Sequence, residues 1–266
     1  MLSFLYSLSD PTIVCIFALA GGLIMLFIYF LKKAIPFFHK PRTPDEIKKT
    51  DDFLIAVRAT VIAMCSLVLA FSMVTVIGNF NRVDAAATAE ASLINNMDRM
   101  LVRYGDPKVA ELRQNLMAYT KSIVNDEWPL LAKGKGSDKT RELFVSISQG
   151  IIAIQPEAGR QNVIYTEMVK KADDIAEARD ARIESSGNSL APIFWLMVGF
   201  TFSAMIILTV FVELTPIRVF GFSIQLAVFA ALMSVVFIYD QPFDGETSVS
   251  TKALTKTIRA MEGRTK

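Results

Sequence analysis

The chain has 266 residues, is 52% hydrophobic and carries a formal net charge of +2, with a mean hydropathy of +0.40. That balance describes a membrane protein with a minority of water-exposed structure, and it leaves no electrostatic footprint for nucleic acid. His39 is the single histidine, and Cys15 and Cys65 both fall inside apolar runs; these counts argue against zinc sites, Ser-His-Asp triads and a disulfide scaffold.

Residues 1–10 carry no lysine or arginine. The run 12–31 then has no charge and is long enough to span a bilayer. Ala18-Leu19-Ala20 would suit a signal-peptide cleavage site, but the apolar run continues past it, which favours an uncleaved span. Ala18 and Gly22, with Cys15 on the same side, form a small-residue face that lets helices approach closely.

A polar loop, 32–52, holds Lys32, Lys33, Lys40, Arg42, Lys48 and Lys49, punctuated by Pro36, Pro41 and Pro44. From 52 to 104 the pattern predicts one unbroken helix of roughly 75 Å, over twice the ~30 Å of a hydrocarbon core. Its first half, 53–77, is the second span. Arg58, Cys65, Ser72 and Asn79 recur every seven residues there, with Thr75 close by, and so draw one polar line. They are the candidate pore-lining residues; the alternative for Arg58 is snorkelling to nearby headgroups.

The second half of that helix carries an apolar seam of Val83, Ala87, Ile94, Met97, Leu101 and Tyr104, broken at Glu90. Gly105-Asp106-Pro107 stops it and starts the next helix, striped by Val109, Leu112, Leu116, Tyr119 and Ile123. That helix is expected to end near Asp126-Glu127-Trp128-Pro129, because proline disfavours helix at the residue before it. Lys133-Gly134-Lys135-Gly136 lacks a phosphate loop's preceding strand and G-K-[ST] ending, and reads as a solvated turn. Ser137 or Asp138 caps a third helix with Leu143, Phe144, Ile147, Ile151 and Ile154. A fourth runs over about 157–184 with Ile164, Met168, Ala172, Ile175 and Ile183, and Ser185-Ser186-Gly187-Asn188 breaks it. Asp173, Asp174, Glu177 and Asp180 interleave with basic residues, as a solvated face does, rather than forming a metal site.

The third span, 190–212, begins with Pro192 and an interfacial Trp195, and repeats the small-residue spacing at Gly199 and Ser203. Thr215 caps the fourth span, 217–239, which carries Gln225 at lipid depth. After a turn at Asp240–Gly245, a short amphipathic helix capped by Ser250 presents Leu254, Ile258 and Met261.

The reading is an all-α integral membrane protein. Four transmembrane helices carry an antiparallel helical bundle inserted between spans 2 and 3. The expected divisions are a transmembrane hairpin at 1–79, a soluble bundle at 80–189, a second hairpin at 190–239 and a C-terminal turn and helix at 240–266. Basic residues near the span ends tie: Lys32, Lys33, Lys40, Arg42, Lys48, Lys49 and Arg218 on one side, Arg82, Lys170, Lys171, Arg179, Arg182, Lys252 and Lys256 on the other. The first span has basic residues only after it, so the rule leans to an N-terminus and bundle outside the cytoplasm. No catalytic constellation, metal site or cofactor motif emerges, so no enzymatic role and no cofactor are expected.

Glu127-Trp128-Pro129, the Arg179 and Arg182 pair, Pro192-x-x-Trp195-x-x-x-Gly199 and the closing Asp240-x-Pro242-Phe243-x-Gly245 with Val249 resemble a bacterial family of bestrophin-like membrane proteins. The resemblance covers about residues 10–260. It implies four spans with a helical insert after the second. Bestrophins are pentameric anion channels lined by the second span, so the resemblance implies a homo-oligomer in the bacterial cytoplasmic membrane, with lipid and an anion as partners. Two features depart from bestrophins: Ile35-Pro36-Phe37-Phe38, which looks like their neck, follows the first span, and bestrophin termini and bulk are cytosolic, against the outward lean of the charge count here; no acidic calcium clasp is found to carry over. The competing expectation is a membrane-anchored helical interaction or sensing module that conducts nothing.

Overall fold

The computed structural model describes residues 2–35, 43–107, 109–187 and 189–264. Expectations that fall on Pro36, Phe37, Phe38, His39, Lys40, Pro41, Arg42 and Asn188 lie outside the described residues. After a 3-10 turn at Leu2–Ser7, the helices are α1 (Asp10–Ala34), α2 (Pro44–Tyr104), α3 (Val109–Ser122), α4 (Trp128–Leu131), α5 (Asp138–Ile152), α6 (Arg160–Ser186), α7 (Pro192–Phe211), α8 (Pro216–Tyr239) and α9 (Lys252–Gly263). Four of them, α1, α2, α7 and α8, are long and apolar enough to cross a membrane by length and composition. No strand occurs among the described residues. The fold is all-α.

The chain divides into two compact units. The first comprises Met1–Ile77, Ser189–Asp240 and Gly245–Thr247; the second comprises Gly78–Asn188, Gln241–Asp244 and Ser248–Lys266. One helix, α2, supplies residues to both.

In the first unit α1 packs antiparallel on α8. Ile13 clusters with Phe237 and Ile238, and Met25 with Val219 and Leu226. Between them, a Cβ added at Gly21 would stand 2.6 Å from the backbone oxygen of Leu226, whereas one at Gly22 would meet nothing nearer than 3.9 Å. The small-residue contact therefore falls on Gly21, not on the Cys15–Ala18–Gly22 face; Cys15 is exposed. Such close approach matters in lipid, where van der Waals contact rather than water exclusion holds helices together. Gly199 likewise meets nothing within 4 Å. Along α2, Cys65, Leu69 and Val76 join Val198, Phe229 and Val236 of α7 and α8.

The start of α2 is earlier than the composition suggested. Thr43 and Glu46 form a reciprocal capping box: the Thr43 N–H donates to Glu46 Oε2 at 3.1 Å, and the Glu46 N–H to Thr43 Oγ1 at 3.4 Å. Pro44 at the first helical position adds a pre-set φ. The polar residues 44–52 are thus helix, not loop. The box fixes the end of α2; the apolar pattern fixes only where lipid begins.

In the second unit, Ile94, Met97 and Leu101 of α2 share one core with Leu116 and Tyr119 of α3, Ile147 and Ile151 of α5, Met168 and Ile175 of α6, and Leu254 and Met261 of α9. Each fully buried side chain of this size contributes about 1.5–3 kcal/mol. Ser137 caps α5 by accepting from the Thr140 N–H at 3.3 Å. Asp98 of α2 pins α9: Arg113 and Arg264 each donate to it through Nε at 2.6 Å.

The end of α3 differs from expectation. Rather than stopping before Pro129, α3 widens into a π turn at Ile123–Glu127 and continues as α4 through Pro129. In the wide turn the Trp128 N–H bonds to the Ile123 carbonyl, and Pro129 enters a fresh first turn where its missing N–H costs nothing. The α6 boundaries also shift, from 157–184 to Arg160–Ser186. For α9 the capping position is held by Thr251, not Ser250.

Candidate functional site

The expected polar line of α2 divides. Seven residues fall about 20° short of two full turns of a straight helix, so a seven-residue line drifts around the axis. Arg58, Cys65 and Ser72 are buried within the first unit, the Ser72 hydroxyl donating back to the Val68 carbonyl at 2.9 Å. The Arg58 guanidinium lies 3.6 Å above the centre of the Phe222 ring. Thr75 is exposed, with its hydroxyl on the Phe71 carbonyl at 2.9 Å, and Asn79 is half-buried. From Phe53 to Val83 this helix carries no carboxylate, while Arg58 and Arg82 stand near either end.

The second unit builds a charged site in its interior. On α2 the buried heptad seam runs Val83, Ala87, Glu90, Ile94, Met97, Leu101 and Tyr104, so Glu90 occupies a core position. On α6 the stripe Met168, Ala172, Ile175 continues as Arg179 and Arg182, both buried. The π turn delivers Glu127, and Glu90, Glu127 and Arg182 are all 0% exposed. Arg182 donates through Nε to Glu90 Oε2 at 2.6 Å and through Nη2 to Glu127 Oε1 at 2.7 Å. Arg179 donates to Glu127 Oε2, which also accepts the Ser137 N–H at 2.9 Å. The Tyr119 hydroxyl donates to Glu90 Oε1 at 3.0 Å.

Two carboxylates thus face two guanidiniums, and the charges balance. Burial alone pushes the Glu127 pKa up, but Arg182, Arg179 and the Ser137 N–H more than reverse this and hold it below the usual carboxylate range. Burial works against the charge on Arg182; Glu90 and then Glu127 outweigh it and hold its pKa above the ordinary arginine value. Burial, with Glu90 beside it, pushes the Tyr119 phenol well up, so it remains a donor. A Cβ at Gly136 would approach Arg179 Nη2 at 3.3 Å and Glu127 Oε2 at 3.4 Å, so the loop passes the network with no room for a side chain.

The residues singled out by motif find places around these features. Glu127, Arg179 and Arg182 meet in the network. Trp128 donates through Nε1 to the Val249 carbonyl at 3.3 Å and packs edge-on to Phe243 with centroids 5.3 Å apart. The Val249 N–H in turn donates to the Pro242 carbonyl at 2.8 Å. In the first unit, Asp240 Oδ1 accepts the Leu190 N–H at 2.6 Å just ahead of α7, where Pro192 occupies the first turn. Trp195 lies edge-on to Phe237, and Gly245 adopts a φ of +83° against Tyr6. Sequence reasoning missed Glu90, Tyr119, Ser137 and Gly136 as members of the network. The break of an apolar seam by Glu90 was the available signal, since a carboxylate at a core position requires a buried partner. No group of three or more metal-binding side chains occurs among the described residues.

These elements define a multi-pass, all-α membrane protein whose second apolar helix extends into a second, helical unit. The family profile of the Bestrophin-like domain matches residues 25–254, and the chain belongs to that family. Among solved structures it is similar to a variant of a bacterial Bestrophin homolog from Klebsiella pneumoniae, with a TM-score of 0.71 and 13% identity over 95% of this chain and 98% of that one. The homolog solved by Zn-SAD phasing gives a TM-score of 0.66 at 12% identity, over 94% and 96% of the two chains. A variant described as a membrane protein gives 0.67 at 12% identity, over 93% and 96%. Comparison with curated proteins returned no match.

Proposed function

We propose that this protein is a homo-oligomeric anion channel of the cytoplasmic membrane of a bacterium, with the apolar part of α2 from each protomer around a common axis. The observation that carries this reading is family membership across residues 25–254, a range that contains all of α2. The charge pattern of α2 supports an anion: cation pathways are ringed by carboxylates, and Phe53 to Val83 offers none. An exposed stripe of small and hydroxyl residues, Ala56, Thr60, Ala63 and Ala70, suits close approach between protomers. Among the polar line, exposed Thr75 and half-buried Asn79 are the residues that reach the axis; Arg58, Cys65 and Ser72 support the wall from behind. The buried network of the second unit keeps its helices in register and carries out no reaction.

Purified oligomer in a planar bilayer with a salt gradient is expected to pass current that reverses near the anion's equilibrium potential. Arg82→Glu moves that reversal towards the cation value. Current that reverses at the cation potential would refute anion selectivity; no current from folded oligomer would refute the channel and leave a membrane-anchored interaction module. The N-terminus and the bundle lie outside the cytoplasm on this reading. A cysteine introduced at exposed Lys135 is then labelled in intact cells by an impermeant thiol reagent; labelling only after lysis reverses the orientation.

A further inference from the structure

Arg58 is a buried charge that its own chain satisfies on one side only. It is 3% exposed, and its face is covered by the Phe222 ring at 3.6 Å, a favourable cation–π geometry. Its edge is different: Nε and Nη2 find no hydrogen-bond partner among the described residues. Those two nitrogens form the side-on edge of the guanidinium fork, whose parallel N–H bonds match two oxygens of one carboxylate or phosphate group. A halide, as a point acceptor, has no need of a fork.

The charged groups at this end of the unit are already engaged with one another or with the backbone. Asp51 lies two turns earlier on the same face of α2 and is already taken: it accepts from Arg218 and from the Glu213 N–H at 3.0 Å. Lys32, near the end of α1, donates to the Val212 carbonyl, and Arg218 also donates to the Glu213 carbonyl at 2.9 Å. α1, α2 and α8 therefore each bring a cation to the end of the unit where α7 turns into α8. Basic pockets between spans at this level are where anionic headgroups bind.

We propose that Arg58 anchors an oxyanion site at this end of the membrane unit, which takes a phosphate group either from an anionic lipid headgroup or from solution. The fork is closed to solvent, so the group enters by displacing what covers its edge. The site is independent of conduction, and its test reads binding rather than current.

Full-length protein in detergent is titrated with phosphatidylglycerol, with phosphatidylcholine and with inorganic phosphate at matched chloride, and followed by thermal unfolding and native mass spectrometry. The expected result is a rise of several degrees with phosphatidylglycerol or phosphate and little with phosphatidylcholine. Response to the lipid alone assigns the headgroup, and response to phosphate alone assigns the free anion. Arg58→Lys, which keeps the charge but loses the fork, is expected to weaken binding at least tenfold, and Arg58→Gln to abolish it. Circular dichroism and gel filtration establish that each variant folds; if Arg58→Gln does not, Arg58→Lys carries the test. Wild-type binding by a folded variant, or no response of the wild type to either ligand beyond chloride, overturns the proposal.

Discussion

Arg182→Met is expected to destabilise the second unit by about 3–5 kcal/mol, the cost of leaving buried carboxylates without their cation. Glu90 and Glu127 share Arg182 and are both 0% exposed, so neither can turn to water without opening the bundle. Melting followed by circular dichroism should fall by more than about 10 °C for a unit of this size. Replacing Glu90, Glu127, Arg179 and Arg182 together by apolar residues of similar volume is expected to recover most of the loss, because the desolvation cost disappears along with the attraction. An Arg182→Met protein that melts like the wild type would show that the network does not hold the unit together.

The same network predicts an acid response. The folded pKa of Glu127 is depressed, so its stabilising contribution is complete above the unfolded glutamate value of about 4.3 and is lost as pH falls through the lower folded value. Glu127→Gln should flatten the pH dependence of melting in that acid window and leave the neutral-to-alkaline side unchanged in shape. A wild-type melting temperature that does not fall below pH 4 would contradict the assignment.

Gly21→Leu is the second large effect. Even the first carbon of a side chain at that position would stand 2.6 Å from the Leu226 oxygen and 3.0 Å from the Ala230 Cβ, so α1 and α8 must part. Overpacking of this kind typically costs about 1–3 kcal/mol, and more where backbone blocks the way. Gly22→Ala, with nothing nearer than 3.9 Å, is the matched control and is expected to be tolerated. Detergent-solubilised yield and melting temperature check both. Equal tolerance of the two variants would mean that the helices are not packed at Gly21.

The contrast between Gly21 and Gly22 shows where sequence stops being informative. Adjacent glycines announce a close approach, but which of them meets the neighbour depends on the rotation of α1, set by Ile13 and Met25 packing on α8. The spans themselves were legible because their signal is local: twenty apolar residues need no partner to be recognised. The bundle stripes were legible for the same reason, and Arg179 and Arg182 extend one of them at the correct three- and four-residue steps. Which carboxylates those arginines would meet was not legible, since Glu90 and Glu127 lie 92 and 55 residues from Arg182. The polar line of α2 was legible as a spacing, but which of its members the protomer covers was not: Arg58 lies over Phe222, while Thr75, about 60° around the helix from Ser72, is exposed. The Thr43–Glu46 capping box was present in the sequence and was overshadowed by the change in hydropathy after Asp52.

The central claim, that α2 surrounds an axis shared by several protomers, is tested most directly by electron microscopy of the detergent-purified protein. The account predicts a closed, rotationally symmetric ring with the apolar half of α2 from every protomer at its centre and Thr75 facing the axis. A monomer, or a ring in which α2 faces lipid and another span lines the centre, would contradict it.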